Sequence, residues 1–326
     1  MEVTAVTDNI LQVKDLTVTF PTATGELYAV RGISYDIRSG ETLGIVGESG
    51  SGKSVSAFSL MGLLKGGAMV EGEALFDGQN LLQLDQSRLE AIRGKEIAMI
   101  FQDPLSSLDP CFTVGNHLTE TLLAHRQISK AEAKKQAEEM LNAVGIRNAG
   151  RVMNQYPFEL SGGMRQRIMI AIALLCQPRL LLADEPTTAL DVTVQDQILK
   201  LLKRLKDQNG TSMLFITHNF GIVARLCDRV IVMYGGRIVE RAMVADIFRN
   251  PVHPYTKALL SAIPRMDDDK TRPLPVIAGQ PHDPHSPFAG CPFKERCPMA
   301  DEKCDATPQE TCIEENHTVA CWRYLQ

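Results

Sequence analysis

The first stretch equipped for chemistry is an octapeptide, GESGSGKS, running from Gly47 to Ser54. It fits the spacing G-x-x-x-x-G-K-[ST]. Such glycines let successive backbone N–H groups turn inward onto a phosphate. A helix starting where the loop ends adds the positive end of its dipole. Lys53 then reaches the β- and γ-phosphates, and the Ser54 hydroxyl ligates Mg²⁺. A pair of acids follows in LLLADEP, residues 180–186. Asp184 closes an apolar run and is placed to hold Mg²⁺, usually through water. Glu185 beside it suits a general base that orients an attacking water. A third constellation lies near the end: five residues separate Cys291 from Cys297, six separate Cys297 from Cys304, and sixteen more precede Cys321. Four thiolates suit zinc or a [4Fe–4S] cluster. The spacings are wider than the C-x(2–4)-C pairs usual for structural zinc, and reduced thiols are the third reading.

These residues need elements to hold them. ILQVKDLTVTF (10–20), ETLGIVG (41–47), EIAMIF (96–101), RLLLAD (179–184), MLFITH (213–218) and RVIVMY (229–234) read as strands, most of them apolar enough for a buried parallel sheet. SVSAFSLMGLL (54–64) reads as the helix after the glycine loop. Ser129 and Glu132 form a capping box, and Asp191 caps a helix over 192–206 with Ile198, Leu201, Leu202 and Leu205 on one stripe. Strands alternating with helices predict an α/β fold. The helical block at roughly 104–177 reads as an inserted subdomain. Residues 1–249 make a nucleotide-binding domain and 250–326 an extension, in which 266–290 is a proline-rich, poorly structured linker to the cysteines.

Composition narrows the class. Net charge is −5 with no basic stripe, which argues against a nucleic-acid partner. The longest apolar run, Ile168 to Cys176, is too short to span a bilayer, and the first residues show no signal-peptide pattern. Both point to the cytoplasm, where cysteines stay reduced or metal-bound rather than paired.

LSGGMRQR (160–167) puts two glycines in the first turn of a helix capped by Ser161, a loss that makes sense if the backbone must approach an anion. With GESGSGKS, FQDP, LLLADEP, the TALD turn and ITHN, all in order, the chain resembles ATP-binding cassette (ABC) ATPases over nearly its whole length. The resemblance implies a P-loop NTPase fold of the ABC type, with a RecA-like core and inserted helical subdomain. It implies two cassettes paired head to tail, the signature of one closing on the nucleotide of the other. Ser161, Gly162, Gly163 and Gln166 would then serve a partner's nucleotide, with Asp191 at the dimer interface. Gly47, Glu48, Ser49, Gly50, Ser51, Gly52, Lys53, Ser54 and Val55 would bind this chain's own, with Phe20 stacking on adenine and Tyr28 as its rival. Gln102 would join Ser54 and Asp184 around Mg²⁺. His218 would bond the γ-phosphate and, with Glu185, Lys53 and Gln102, carry out hydrolysis. Asn219 stands where the family often has aspartate, and Val55 where many relatives have threonine.

NPVHPYTKALLSAIP (250–264) and the cysteine set resemble the D-type ATPase subunits of bacterial dipeptide, oligopeptide and nickel importers. That implies ATP and Mg²⁺ as cofactors, and a [4Fe–4S] cluster on Cys291, Cys297, Cys304 and Cys321, structural rather than catalytic, with Cys312 spare and zinc as the alternative. It also implies a second related ATPase, two membrane permeases, an extracytoplasmic binding protein, and a place on the cytoplasmic face of the inner membrane. The cargo would touch the other subunits, so dipeptides, longer peptides, nickel chelates and glutathione-like molecules all stay open. A soluble, non-transport ABC ATPase is the remaining alternative.

Overall fold

The structure is a computed structural model describing residues 9–188, 190–263, 276–286 and 290–324. In chain order its elements are β1 (Asn9–Thr22), β2 (Gly25–Arg38), β3 (Thr42–Val46), α1 (Lys53–Leu60), β4 (Met69–Phe76), β5 (Gln79–Asn80), α2 (Gln86–Ile92), β6 (Ile97–Ile100), α3 (Pro104–Ser107), α4 (Val114–His125), α5 (Lys130–Ala143) and α6 (Ala149–Val152). Then follow α7 (Gly162–Leu174), β7 (Leu180–Asp184), α8 (Val192–Asn209), β8 (Ser212–Thr217), α9 (Phe220–Leu226), β9 (Arg229–Tyr234), β10 (Arg237–Met243), α10 (Val244–Arg249), α11 (Pro254–Ser261), β11 (Thr311–Glu314) and β12 (His317–Val319). They gather into two units.

One unit is mostly residues 83–215. Its strands run in the order β8-β7-β6, and β6 and β7 are parallel, with Ile97 opposite Leu180 and Ile100 opposite Ala183. All five residues of β7 are buried, as the unbroken apolar run requires of a strand covered on both faces. The helices begin where short polar side chains can cap them. Thr113 opens α4, Ser129 opens α5, Ser161 opens α7, and Asp191 opens α8 by accepting from both Thr193 and Val194 N–H groups. Only half of the expected capping box forms: Ser129 accepts the Glu132 N–H, while the Glu132 carboxylate takes the Gln136 amide instead.

The other unit holds residues 11–36, 42–82 and 216 onward. It carries an antiparallel sheet ordered β2-β1-β4-β5, and a second run ordered β11-β12-β10-β9-β3 in which β3 and β9 are parallel. The extension is more structured than a linker with a clip. Its terminal hairpin adds β12 to the edge of β10, with Glu240 opposite Val319. Of the stretch read as linker, 276–286 and Gly290 are described, without helix or strand; the rest lies outside the described residues. Glu240, wholly buried, fastens the joint by accepting from the Val252 and His253 N–H groups and from His317 Nε2 at 2.8–2.9 Å. Three donors around one buried carboxylate offset its desolvation.

His253 caps α11, its Nδ1 accepting the Tyr255 N–H at 3.0 Å. Burial drives its pKa down to about 3, helped by Lys257. An unfolded histidine titrates near pH 6.5. Above that pH neither state is protonated. Below it the unfolded chain takes up a proton the folded chain refuses, so stability falls as pH drops from about 6.5 toward 3. Between about pH 7.5 and 5.5 the wild type should lose about 1.4 kcal/mol more than His253→Asn, whose amide oxygen keeps the cap. Urea unfolding of both proteins across that range checks this; curves that shift in parallel would rule out His253 as the titrating group.

Candidate nucleotide site

The phosphate loop spans residues 47–52 between β3 and α1, the strand–loop–helix setting its sequence calls for. Gly52 precedes the helix with φ of 96°. A Cβ there would lie 2.3 Å from the Ala29 carbonyl oxygen, and one at Gly47 would lie 2.2 Å from the Met233 oxygen, so neighbouring backbone leaves room for glycine alone. At Gly50 a Cβ would meet nothing within 4 Å, which leaves that face of the loop open to a ligand. Lys53 is 5% exposed, and its Nζ donates to the Gly47 and Glu48 carbonyls, each at 2.9 Å. A buried ammonium facing the inside of a ring of peptide groups can hold a phosphate by charge. Ser51 is buried, and Ser54 and Val55 are half-buried in the first turn of α1.

Glu48 is held from outside the loop. Its N–H donates to the Tyr255 hydroxyl at 2.8 Å, and its carboxylate takes a fork from Arg296, at 2.7 Å from Nη1 and 3.2 Å from Nη2. Its backbone donor is therefore engaged away from any phosphate, which makes Glu48 an anchor of the cradle rather than one of the donors expected from the motif. Tyr255 and Arg296 escaped the sequence reading. The only signal lay in NPVHPYTKALLSAIP, which holds Tyr255 and resembles the importer subunits without giving that residue a role.

Phe20 is half-buried near the end of β1. Its rival Tyr28 is occupied: its hydroxyl donates to Glu26, and the Arg31 guanidinium lies 5.1 Å from its ring centroid. His218 is exposed just after β8, and Asn219 caps α9 by accepting the Gly221 N–H at 2.8 Å. Asparagine and aspartate cap about equally well, so asparagine here keeps the helix start that an aspartate would give.

In the other unit, Asp184 ends β7 with 2% exposure. Glu185 follows with φ of 44°, a left-handed backbone rare for glutamate, and its carboxylate accepts the Thr188 hydroxyl at 2.8 Å. Strain of this kind persists where surrounding contacts impose it, and it concentrates at functional positions. Gln102 and Asp191 are exposed. Ser161 caps α7 by accepting the Met164 N–H at 3.4 Å, and its own hydroxyl proton stays available to an anion. A Cβ at Gly162 would meet nothing within 4 Å, whereas one at Gly163 would lie 3.0 Å from Val194 Cγ1. Gln166 departs from expectation. It is 1% exposed, buried with the core face of α7, whereas a Cβ at Gly162 would stand in open space.

Cys291, Cys297, Cys304 and Cys321 are neighbours. Burial pushes the Cys291 thiol up to about 12, and negative charge on any of the other three would push it further. Burial likewise raises Cys297 and Cys321. Backbone N–H groups of Phe293, Met299 and Arg323 act in the opposite sense by bonding the sulfurs. Yet among the described residues no group of three or more His, Cys, Asp or Glu side chains is placed to hold a metal ion. The donor chemistry suits a thiolate-bound group, but this arrangement supports neither the expected [4Fe–4S] cluster nor zinc. Cys312 is exposed on β11, and Cys176 is buried, with Arg126 and Lys95 near enough for their charges to act on its thiol.

Comparison with known proteins agrees with the motif order. The family model for ABC transporters matches residues 30–188, and that for the oligopeptide/dipeptide transporter C-terminal region matches 239–304. Similar proteins include a probable peptide ABC transporter ATP-binding protein of Sinorhizobium fredii, 50% identical over 97% of this chain and 95% of its own. The oligopeptide transport ATP-binding protein OppD of Salmonella typhimurium is 49% identical over 97% and 94%, and the dipeptide transport ATP-binding protein DppD of Bacillus subtilis 48% over 97% and 95%. A dimeric ATP-binding cassette, MJ0796, solved in a post-hydrolysis state with ADP and Pi, superposes with a TM-score of 0.65 at 31% identity, over 72% of this chain and 98% of that one. No helix among the described residues is long and apolar enough to cross a membrane. With half its residues shared along nearly the full length of these relatives, the chain belongs to the ABC transporter ATP-binding proteins, in the group that carries the oligopeptide/dipeptide transporter C-terminal region.

Proposed function

We propose that the chain is the ATP-hydrolysing subunit of a peptide importer. The observation that carries the reading is a complete phosphate cradle, with Lys53 buried inside it, in a chain about half identical to peptide-transport ATP-binding proteins. Lys53 and the loop's N–H groups hold the β- and γ-phosphates of ATP, and Phe20 stacks on the adenine. Ser54, Asp184 and Gln102 would be the residues to hold Mg²⁺, which when bound would supply positive charge against the charge that develops on the phosphates. Glu185 accepts the proton of the attacking water, and His218 bonds the γ-phosphate. Ser161 and Gly162 close on the nucleotide of a second, related cassette, with Asp191 at the same seam. Binding favours the closed pair and hydrolysis releases it, so each step shifts an equilibrium between two arrangements. That cycle drives two membrane permeases fed by an extracytoplasmic binding protein, with this chain at the cytoplasmic face of the inner membrane.

The cargo contacts those other subunits, so nickel- or glutathione-type import would use the same engine. The [4Fe–4S] assignment rests on the resemblance and on the gathering of four thiols. The lack of a three-donor group among the described residues counts against it. Iron and acid-labile sulfide in anaerobically purified protein decide between them.

The function is tested by recovering a tagged chain from its native cells. Two polytopic permeases should come with it in the membrane fraction, and uptake of labelled di- and tripeptides should vanish when Lys53→Met replaces the wild type. Recovery with ribosomes and no permease would place the chain in the soluble, non-transport class.

A further inference from the structure

The contact between the cysteine segment and the phosphate loop has no place in the hydrolysis cycle described above. Arg296 precedes Cys297 in sequence, 248 residues beyond Glu48. Its side chain is 5% exposed and every nitrogen is used. Nε donates to the Ala278 carbonyl at 3.0 Å, Nη2 to the Ile277 carbonyl at 3.2 Å, and Nη1 to the Tyr234 hydroxyl at 3.2 Å. The guanidinium also lies 5.7 Å from the Tyr234 ring centroid. These contacts fix the fork before it meets Glu48, so little freedom is lost when the ion pair forms. The floor beneath is aromatic: Tyr234, Tyr255 and Phe293 are all buried, their ring centroids 4.6–5.2 Å apart. Phe293 and Arg296 come from the cysteine segment and Tyr255 from α11. The segment is itself closed by the Cys291 N–H donating to the Cys304 carbonyl at 2.8 Å.

Electrostatics give the contact a purpose. Glu48 places a carboxylate, 27% exposed, in the loop that must receive the most highly charged part of a nucleotide. Unpaired, it would repel the phosphates; paired with a fixed arginine, it becomes a neutral handle. We propose that Arg296 is a positioning residue of the nucleotide site, by which the cysteine-bearing extension holds the phosphate loop through Glu48 and sets its affinity for ATP. The inference rests on the ATPase reading above. Because coupling free energies are reciprocal, nucleotide binding must in turn order the segment that carries Arg296.

The test uses the full-length chain. Dissociation constants for Mg–ATP, with KM and kcat in the assembled transporter, are measured for wild type, Arg296→Met, Arg296→Lys, Glu48→Gln and the Glu48→Gln/Arg296→Met double variant. Arg296→Met should weaken ATP binding by about tenfold or more, since breaking a largely desolvated charge pair strands the other charge. The loss should fall on KM more than on kcat. Arg296→Lys keeps the charge without the fork and should fall between. The double variant should regain most of the affinity, because no stranded carboxylate remains; a merely structural role for Arg296 predicts no such rescue. Should Arg296→Met fail to fold, Arg296→Lys against the double variant carries the same comparison. Hydrogen exchange supplies the reciprocal readout: ATP should slow exchange across 291–305 in wild type, and less so once Arg296 is lost. Equal ATP affinity in wild type and Arg296→Met, or a double variant no better than the single, would overturn the proposal. A wild-type chain that binds no Mg–ATP would instead overturn the ATPase reading beneath it.

Discussion

Glu185→Gln should yield a cassette that fills with ATP and stalls. The substitution replaces one carboxylate oxygen by an amide nitrogen and changes almost nothing else. Its side chain keeps its length, and an amide oxygen can still accept the Thr188 hydroxyl that now bonds the carboxylate at 2.8 Å. Glutamine meets the left-handed backbone at this position, φ of 44°, on the same terms as glutamate. What disappears is the ability to take a proton from water. Loss of a positioned general base costs about 10²- to 10⁴-fold in rate. ATP affinity should stay within a few-fold of wild type, because the proposed site assigns the phosphate contacts to Lys53 and the loop. The assembled transporter carrying the variant should bind ATP, stay closed as a pair, and release phosphate at a rate lower by about that factor. Turnover equal to wild type would remove Glu185 from the chemistry and leave Asp184 and His218 to account for water activation.

The parts of this site that were legible in the sequence are those whose chemistry dictates local sequence. A cradle that only glycine can build announces itself, and so does an acid at the end of an unbroken apolar strand. The six strands read from apolar runs all exist, from β1 to β9. Several of those that escaped, though not the alternating β2, are marked differently. β4 shows only Ala74 and Phe76 buried among its eight residues, so it carries no alternation to read. β11 and β12 are four and three residues long and owe their existence to pairing, β11 with β12 and β12 with β10, rather than to propensity. Gln166 reads as a polar signature residue aimed at a ligand, but α7 is enclosed on most sides and takes the glutamine inside with it. Arg296 was invisible for a further reason. Nothing local distinguishes it, and its role depends on Glu48, a residue that only the fold brings near.

The largest effect after loss of the base should come from Gly162→Asp, and its value lies in separating stability from chemistry. Glycine in a helix costs about 0.5–1 kcal/mol relative to alanine, and an acid in the first turn of a helix interacts well with the dipole. A Cβ at this position meets nothing within 4 Å, so the substitution should leave the melting temperature unchanged or raise it. Gly163→Ala is the counterpart: its Cβ would press on Val194 Cγ1 at 3.0 Å, so stability should fall with no charge introduced. If Ser161 and Gly162 close over the γ-phosphate of a neighbouring cassette, an aspartate there meets a like charge where a bare backbone should stand. Hydrolysis should then drop by about 10²-fold or more, equivalent to about 2.7 kcal/mol of lost transition-state stabilisation. Binding of ATP to the variant's own cradle should be untouched. Calorimetric melting, ATP affinity and turnover in the assembled transporter measure the three quantities separately. A stable Gly162→Asp protein that hydrolyses ATP like wild type would mean that the open edge of α7 faces no nucleotide, and the shared catalytic seam would have to be abandoned while the cradle and its lysine remained.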